Sequence, residues 1–237
     1  MIKRTYSICL FSYSFRHKKT NDFINILKKN GLLKIVIASP KIKLDIKSNW
    51  KPYFKKNLNK KLYFTKYLCK KNDINYLPSR HDDYLKIKKT IQKKKINLGI
   101  ISGARIIKPE ILKLFKYGII NFHPGKIPET SGLDSLYWTI KKRVMPYVTA
   151  HFIDRYVDKG KVILEKKIKV FKKDDYKSID DRIYQNQLYL LKKIINKLKK
   201  KELIKSKKVK NYSKNKQLST KMKKTIYEDF DSWKNEL

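Results

Sequence analysis

The sequence predicts an α/β protein in which helices flank a mostly parallel β-sheet. Three observations support this prediction. Apolar runs of strand length alternate along the chain with stretches whose apolar residues recur at helical spacing. One run, LGIIS at residues 98–102, is almost continuously apolar, as expected of a strand covered on both faces. Turn-forming residues such as Gly31 and Pro40 separate the runs.

The first half of the chain is expected to contain four strand–helix repeats. Phe23, Ile26 and Leu27 share one face of the first helix, and Gly31 follows at the position of a C-cap. Pro109 suits the first turn of the fourth helix. The Lys- and Asn-rich residues 41–60 are interpreted as a surface excursion. The predicted strands span residues 7–11, 34–38, 74–77 and 98–102, and the predicted helices span residues 21–30, 62–71, 84–95 and 109–115.

In the second half of the chain, the regular alternation of strands and helices ends after a fifth predicted strand. The polar segment NFHPGKIPETSG follows it, and then a helix for which Ser131 and Asp134 form a capping-box pattern. Ile226, Phe230 and Trp233 are spaced so that a short terminal helix can rest on the body. The predicted strands span residues 118–122, 148–153 and 161–170, and a long amphipathic helix spans residues 178–198.

These elements predict a Rossmann-like domain over residues 1–198 and a helical, Lys-rich extension over residues 199–237. The net charge of +40 would ordinarily indicate a nucleic-acid partner. However, 53 Lys stand beside 7 Arg, and 30 Ile beside 3 Ala, which is the pattern of A/T-rich codons. The lysines are also scattered along the whole chain. We therefore do not expect nucleic acid as the partner, although the positive field would attract a small anionic substrate.

The sequence also argues against several other classes of protein. It contains no run of about 18 apolar residues and no secretory signal pattern, so we expect a cytoplasmic protein without a membrane span. Its two cysteines, Cys9 and Cys69, form neither a disulfide framework nor a zinc ribbon. The glycine-rich phosphate loops and the GxSxG motif of serine hydrolases are missing. His81 and the two aspartates after it lack the other spaced ligands of a metal site.

Asn121 and His123 are the strongest candidates for chemistry. Side chains at i and i+2 of a strand share a face, and Pro124 ends the strand directly after them. The C-terminal edge of such strands is where ligands bind in open α/β sheets. An amide could donate to a developing negative charge while an imidazole carries a proton. A hydrogen-bonded core histidine beside a turn-forming asparagine would give the same pattern.

Asp158 lies in the turn VDKG and has two interpretations. Asp before Gly is common in ordinary turns, but a carboxylate that reached His123 would orient the imidazole. Of the remaining histidines, His151 is interpreted as structural on a strand and His81 as a surface residue. His17 stands in a basic loop that is either solvated or able to meet an anionic substrate.

The segments GIINFHPGKIPETSG and VTAHFIDRYVDKGKVI together resemble the formyltransferases that use 10-formyltetrahydrofolate. The resemblance covers residues 70–200 well. It implies the formyltransferase fold, transfer of a formyl group to a primary amine, and no metal. The family's Asn-x-His, its proline loop with a glycine and its x-Asp-x-Gly turn match a set of positions here. These positions are Asn121, His123, Pro128, Gly132 and Asp158, with Asn121, His123 and Asp158 as the catalytic residues.

The resemblance also implies binding residues and limits the acceptor. The segment ISGARII resembles the part of the family that embraces the pterin, which implicates Gly103, Arg105 and Ile106. Residues proposed for the acceptor are Arg16 and His17, together with Asp134 and Trp138.

The loop after strand one lacks the glycines with which glycinamide ribonucleotide formyltransferases cradle a phosphate. Fewer than 40 residues follow the long helix, too few for the barrel of methionyl-tRNA formyltransferases. We therefore expect a nucleotide-linked amino sugar ahead of glycinamide ribonucleotide. A 10-formyltetrahydrofolate hydrolase and a basic RNA-binding module remain the alternatives, and the sequence carries no prediction of oligomeric state.

Overall fold

The computed structural model describes residues 5–41, 50–53, 62–104, 106–155, 160–209 and 215–237. Within these residues a seven-stranded sheet has the order β3-β2-β1-β4-β5-β6-β7. Strands β1 to β5 run parallel to one another, β6 is antiparallel to β5, and β7 is antiparallel to β6. The strands are β1 Ile8–Tyr13, β2 Leu33–Ser39, β3 Asn75–Pro78, β4 Leu98–Ile101, β5 Ile119–His123, β6 Tyr147–Phe152 and β7 Val162–Lys167.

Helices cover both faces of the sheet, which confirms the predicted fold class. The predicted helices of the first half recur with ends shifted by a few residues, and Pro109 opens α4 as expected. The helices are α1 Lys18–Lys28, α2 Thr65–Lys71, α3 Tyr84–Lys93, α4 Pro109–Leu112, α5 Ser135–Lys141, α6 Tyr176–Lys199, α7 Thr220–Glu228 and α8 Phe230–Asn235.

The two faces of the sheet are packed by different helices. Ile120 and Phe122 of β5 belong to the larger core cluster, which α1 and α6 complete. Ile119 of the same strand belongs to a second cluster, with side chains of α3 and α4. Since successive side chains of a strand alternate between faces, Asn121 and His123 lie on the face of Ile119. The two predicted catalytic side chains therefore share one face at the C-terminal end of β5.

The C-terminal residues pack onto the same body. Ile226, Phe230 and Trp233 are buried in the larger cluster, as the sequence predicts. The indole Nε1 of Trp233 donates to the carbonyl of Val144 at 3.0 Å. Two short helices, α7 and α8, stand where one was predicted. The division of the chain at residue 198 stays a prediction.

Two local predictions are wrong. Ser131 does not cap α5, because that helix begins at Ser135 after Asp134, whose backbone has φ 63°. The Asp134 carboxylate is held instead by Lys223 and by the backbone N–H of Leu218. His81 is not a surface residue: it is buried, its ring packs edge-on against Phe11 at 5.3 Å, and its Nε2 lies 3.3 Å from the carbonyl oxygen of Ile37.

Asp174, before α6, is a buried carboxylate on which we base a stability prediction. Arg182 donates to both of its oxygens at 2.7 and 2.8 Å, and the Arg182 guanidinium holds the pKa of this carboxyl well below its usual range. Asp174→Asn is expected to lower the free energy of unfolding at pH 7 by about 2–3 kcal/mol. Urea unfolding of both proteins between pH 8 and pH 3 measures it.

The lowered pKa also fixes the pH dependence of this difference. The contribution of Asp174 is complete above about pH 4, the ordinary aspartate pKa, and is lost as the pH falls toward the lower folded-state value. The difference between the two proteins should therefore shrink by about 1 kcal/mol per pH unit below pH 4. A difference that stays constant down to pH 3 would contradict this role of the ion pair.

Candidate active site

His123 is the last residue of β5, and its side chain is enclosed by the loop that follows. Only 3% of the residue is exposed. Its Nε2 lies 2.9 Å from the carbonyl oxygen of Thr130 and 3.2 Å from the hydroxyl of Ser135. Because a carbonyl oxygen can only accept, the proton is on Nε2. Nδ1 is therefore the ring nitrogen that gains or loses a proton when His123 titrates.

The loop over residues 124–134 is folded tightly against this ring. The backbone N–H of Thr130 donates to the carbonyl of Lys126 at 2.8 Å, and the hydroxyl of Thr149 donates to the carbonyl of Gly125 at 2.7 Å. A Cβ at Gly125 would lie 2.5 Å from Thr130 Oγ1 and 2.9 Å from the His123 Nε2. Glycine is required at this position because the loop backbone passes so close to the imidazole.

Asn121 is partly buried two residues before His123, and His151 holds its amide. Asn121 pairs with His151 across β5 and β6, and its Nδ2 lies 3.3 Å from the His151 Nε2. The His151 Nδ1 lies 3.1 Å from the carbonyl oxygen of Phe152. That carbonyl places the ring proton on Nδ1, so Nε2 accepts one N–H of the Asn121 amide. The second N–H of the amide remains as a donor.

The loop between β1 and α1 reaches the same edge of the sheet. His17 precedes α1, its Nδ1 lies 2.9 Å from Thr20 Oγ1, and that oxygen lies 3.1 Å from Ser102 Oγ at the end of β4. The Lys19 ammonium donates to the carbonyl of Phe122 at 3.0 Å, directly beside His123. An ammonium group therefore lies next to the end of β5.

The other predicted binding residues are placed as follows. The Arg16 guanidinium lies 4.9 Å above the Phe64 ring. A Cβ at Gly103 would lie 2.7 Å from the Tyr13 ring, so β1 and the β4 end are in close contact there. Ile106 is 74% exposed. Asp158 and Arg105 lie outside the described residues, and their roles stay predictions.

Asp134 and Trp138, both predicted to bind the acceptor, contact the C-terminal residues. Asp134 pairs with Lys223 at 2.7 Å, and the Trp138 Nε1 donates to the carbonyl of Lys216 at 3.0 Å. The polar groups of both side chains therefore have partners in the C-terminal part of the chain. Their role toward a substrate stays a prediction.

A cavity of about 550 Å³ lies elsewhere, at the opposite edge of the sheet. Tyr6, Leu98 and Gly118, at the beginnings of β1, β4 and β5, are among its lining residues. Of the described residues predicted for the site, none lines it. Within the described part of the chain there is no group of three or more His, Cys, Asp or Glu that could hold a metal ion. No helix among those residues is long and apolar enough to cross a membrane.

Comparison with known proteins identifies the family. A family model described as Formyl transferase matches residues 47–195, well over half of the chain. The chain belongs to the formyl transferase family. The resemblance expected from the Asn-x-His and x-Asp-x-Gly motifs is confirmed by this match.

Relatives in the formyl transferase family are named for different substrates. Methionyl-tRNA formyltransferase of Wolbachia pipientis subsp. Culex pipiens (strain wPip) is 31% identical over 108 residues, which are 45% of this chain and 36% of that protein. The matched part is thus about a third of that relative's length.

Among solved structures, two with the same fold illustrate the family. One is phosphoribosylglycinamide formyltransferase from Streptococcus pneumoniae TIGR4, with a TM-score of 0.62 and 17% identity over 82% of this chain and 99% of that one. The second is a sugar N-formyltransferase from Shewanella sp FDAARGOS_354, with a TM-score of 0.60 and 16% identity over 92% of this chain and 78% of that one.

Three residues that contact the predicted site were missed from the sequence. Thr130 and Ser135 were not considered as partners of His123, and His151 was interpreted as structural only. The pairing of His151 with Asn121 depends on the register of β5 against β6. No local pattern indicates this register, because α5 separates the two strands in the chain. The contacts of Thr130 and Ser135 depend on loop packing, which has no sequence signature.

Proposed function

We propose that this chain transfers the formyl group of 10-formyltetrahydrofolate to a primary amine. The observation that carries the proposal is the placement of Asn121 and His123 on one face at the C-terminal end of β5, in a member of the formyl transferase family. An amide N–H directed by His151 and an imidazole with a defined proton are the groups that acyl transfer needs.

The residues present fit the folate donor. The exposed Ile106 side chain offers an apolar contact to a flat ring system, and Gly103 keeps the adjoining backbone close to β1. The folate, when bound, supplies the formyl carbon as the electrophile. Asn121 donates its second N–H to the formyl oxygen as negative charge develops there. One such donor typically lowers the activation free energy by about 3–4 kcal/mol.

His123 handles the proton of the attacking amine. Its Nε2 proton is held by the Thr130 carbonyl, so the amine proton is accepted at Nδ1 and passed to the folate nitrogen as the bond between that nitrogen and the formyl carbon breaks. In the protonated form its charge also stabilises the developing oxyanion beside Asn121. Asp158 is predicted from the sequence to orient this ring and to favour its cation. That role rests on the motif, since Asp158 lies outside the described residues.

For the acceptor we propose a nucleotide-linked amino sugar. The loop between β1 and α1 carries Arg16 and His17 and contains no glycine, and Lys18 follows as the first residue of α1, so side-chain cations would meet the phosphates. A diphosphate suits such cations better than it suits a tight cradle of backbone amides. Glycinamide ribonucleotide is the second candidate, in line with the phosphoribosylglycinamide formyltransferases among the fold neighbours.

Turnover assays with both acceptors at equal concentration test this ranking. Purified protein is incubated with 10-formyltetrahydrofolate, and release of tetrahydrofolate is followed with each acceptor and without any amine. We expect faster release with the nucleotide-linked amino sugar. Faster release with glycinamide ribonucleotide would reverse the ranking. Equal release in the amine-free sample would identify a hydrolase and overturn the transferase proposal.

A further inference from the structure

A short C-terminal segment lies directly on the loop that encloses His123. We call residues 215–223 the strap and residues 124–134 the His123 loop. The Asn215 amide, in the strap, donates to the carbonyl of Glu129 at 3.1 Å and to the carbonyl of Ser131 at 2.9 Å. Its backbone N–H also donates to Ser131, and its Oδ1 accepts from Lys142 at 2.6 Å. The amide of Asn215 is thus bonded through both its nitrogen and its oxygen.

These bonds bracket the residue that touches the catalytic imidazole. Glu129 and Ser131 flank Thr130, whose own carbonyl accepts from the His123 Nε2 at 2.9 Å. The Glu129 carbonyl lies in the peptide plane before the one that carries the Thr130 carbonyl, and the Ser131 carbonyl lies in the plane after it. Asn215 therefore holds both neighbouring planes and restricts the direction of the carbonyl that holds the His123 proton.

The other end of the strap acts on the second partner of His123. The Lys223 ammonium lies 2.7 Å from the Asp134 carboxylate, and the side chain of Lys223 is only 3% exposed. The backbone N–H of Leu218 donates to the other oxygen of Asp134 at 3.0 Å. Asp134, in a left-handed backbone conformation, directly precedes Ser135, whose hydroxyl lies 3.2 Å from the His123 Nε2.

We propose that the strap is a positioning element of the active site, with Asn215 and Lys223 as positioning residues for His123. The inference rests on the proposed function. Attachment of the C-terminus does not account for these contacts, because the buried Phe230 and Trp233 already anchor α8 on the body. Most lysines in proteins are exposed, and burial of a lysine charge is costly unless the charge is paired. Lys223, one of 53 lysines in the chain, is buried and its charge is paired with Asp134. The hydrogen bonds and the ion pair of the strap hold residues next to Thr130 and Ser135, the two residues that contact the His123 ring.

Kinetics of strap variants test the proposal. Asn215→Ala removes both side-chain N–H donors to the His123 loop and keeps the backbone donor, and Lys223→Met removes the buried cation. We expect kcat for formyl transfer to fall about 10–100-fold in each, with KM for the folate within about threefold of the unaltered protein. Lys224→Met, at the exposed neighbouring position of α7, is the matched control and should keep its kcat. Lys223→Arg should recover most of the activity.

A second measurement does not depend on turnover. The Nε2–H resonance of His123, in protein labelled with ¹⁵N-histidine, should shift or broaden in Asn215→Ala and Lys223→Met but not in Lys224→Met. If Lys223→Met does not fold, the double variant Asp134→Asn/Lys223→Met removes both charges together and takes its place. An unchanged resonance in variants that fold, or a kcat within twofold of the unaltered protein, would overturn the proposal. If the unaltered protein formylates no acceptor, the proposed function fails. The Nε2–H resonance still reports whether the strap holds the His123 ring.

Discussion

Replacing His123 with alanine is expected to lower the rate of formyl transfer by about 100-fold or more. The substitution removes the group that accepts the amine proton and the positive charge that would stand beside the developing oxyanion. The measurement is kcat with saturating folate and the better acceptor. Residual activity should remain, because Asn121 and the binding contacts are left in place.

The fold should survive this substitution, and that is the necessary control. His123 contacts the loop residues Thr130 and Ser135 and belongs to neither apolar cluster. Far-UV circular dichroism of His123→Ala should therefore match that of the unaltered protein, as should its affinity for the folate. Near-normal turnover in a folded variant would exclude His123 as the proton carrier.

Asn121 gives the second large effect, and two variants separate its chemistry from its shape. Asn121→Ala removes the proposed oxyanion donor and should lower kcat by about 100–1000-fold. Asn121→Asp keeps the size of the side chain but replaces the N–H donors with a carboxylate that cannot donate at pH 7. We expect the aspartate variant to lose at least as much activity as the alanine variant.

The aspartate variant also changes the contact with His151. Its Nε2 accepts an N–H from Asn121 in the unaltered protein, and it would have to be protonated to meet a carboxylate. If Asn121→Asp retained more than a tenth of normal kcat, the side chain would act through shape or packing. The assignment as an oxyanion donor would then be wrong.

Local patterns were sufficient to predict most of the fold. The apolar run at 98–102 became β4, buried between β1 and β5, and the spacing of Ile226, Phe230 and Trp233 correctly indicated helical packing on the body. The shared face of Asn121 and His123 also followed from strand alternation alone. These predictions succeeded because each depends on residues close together in the chain.

The predictions that failed depend on residues far apart in sequence. Ser131 and Asp134 match a capping box, but Lys223, almost 90 residues away, holds the Asp134 carboxylate and α5 begins later. His81 follows a strand-ending proline in a polar stretch, yet it packs against Phe11 of β1. No local pattern encodes such contacts, and the same holds for the bonds between Asn215 and the His123 loop.

The most direct test of the central claim follows the formyl carbon itself. Purified protein is mixed with 10-formyltetrahydrofolate that carries ¹³C in the formyl group, together with a nucleotide-linked amino sugar, and the fate of the label is read by NMR. The label should appear as a formamide on the acceptor, in an amount equal to the tetrahydrofolate released, and this should be lost in His123→Ala. Label that appears only as formate, or that stays on the folate with every amine offered, would contradict the account.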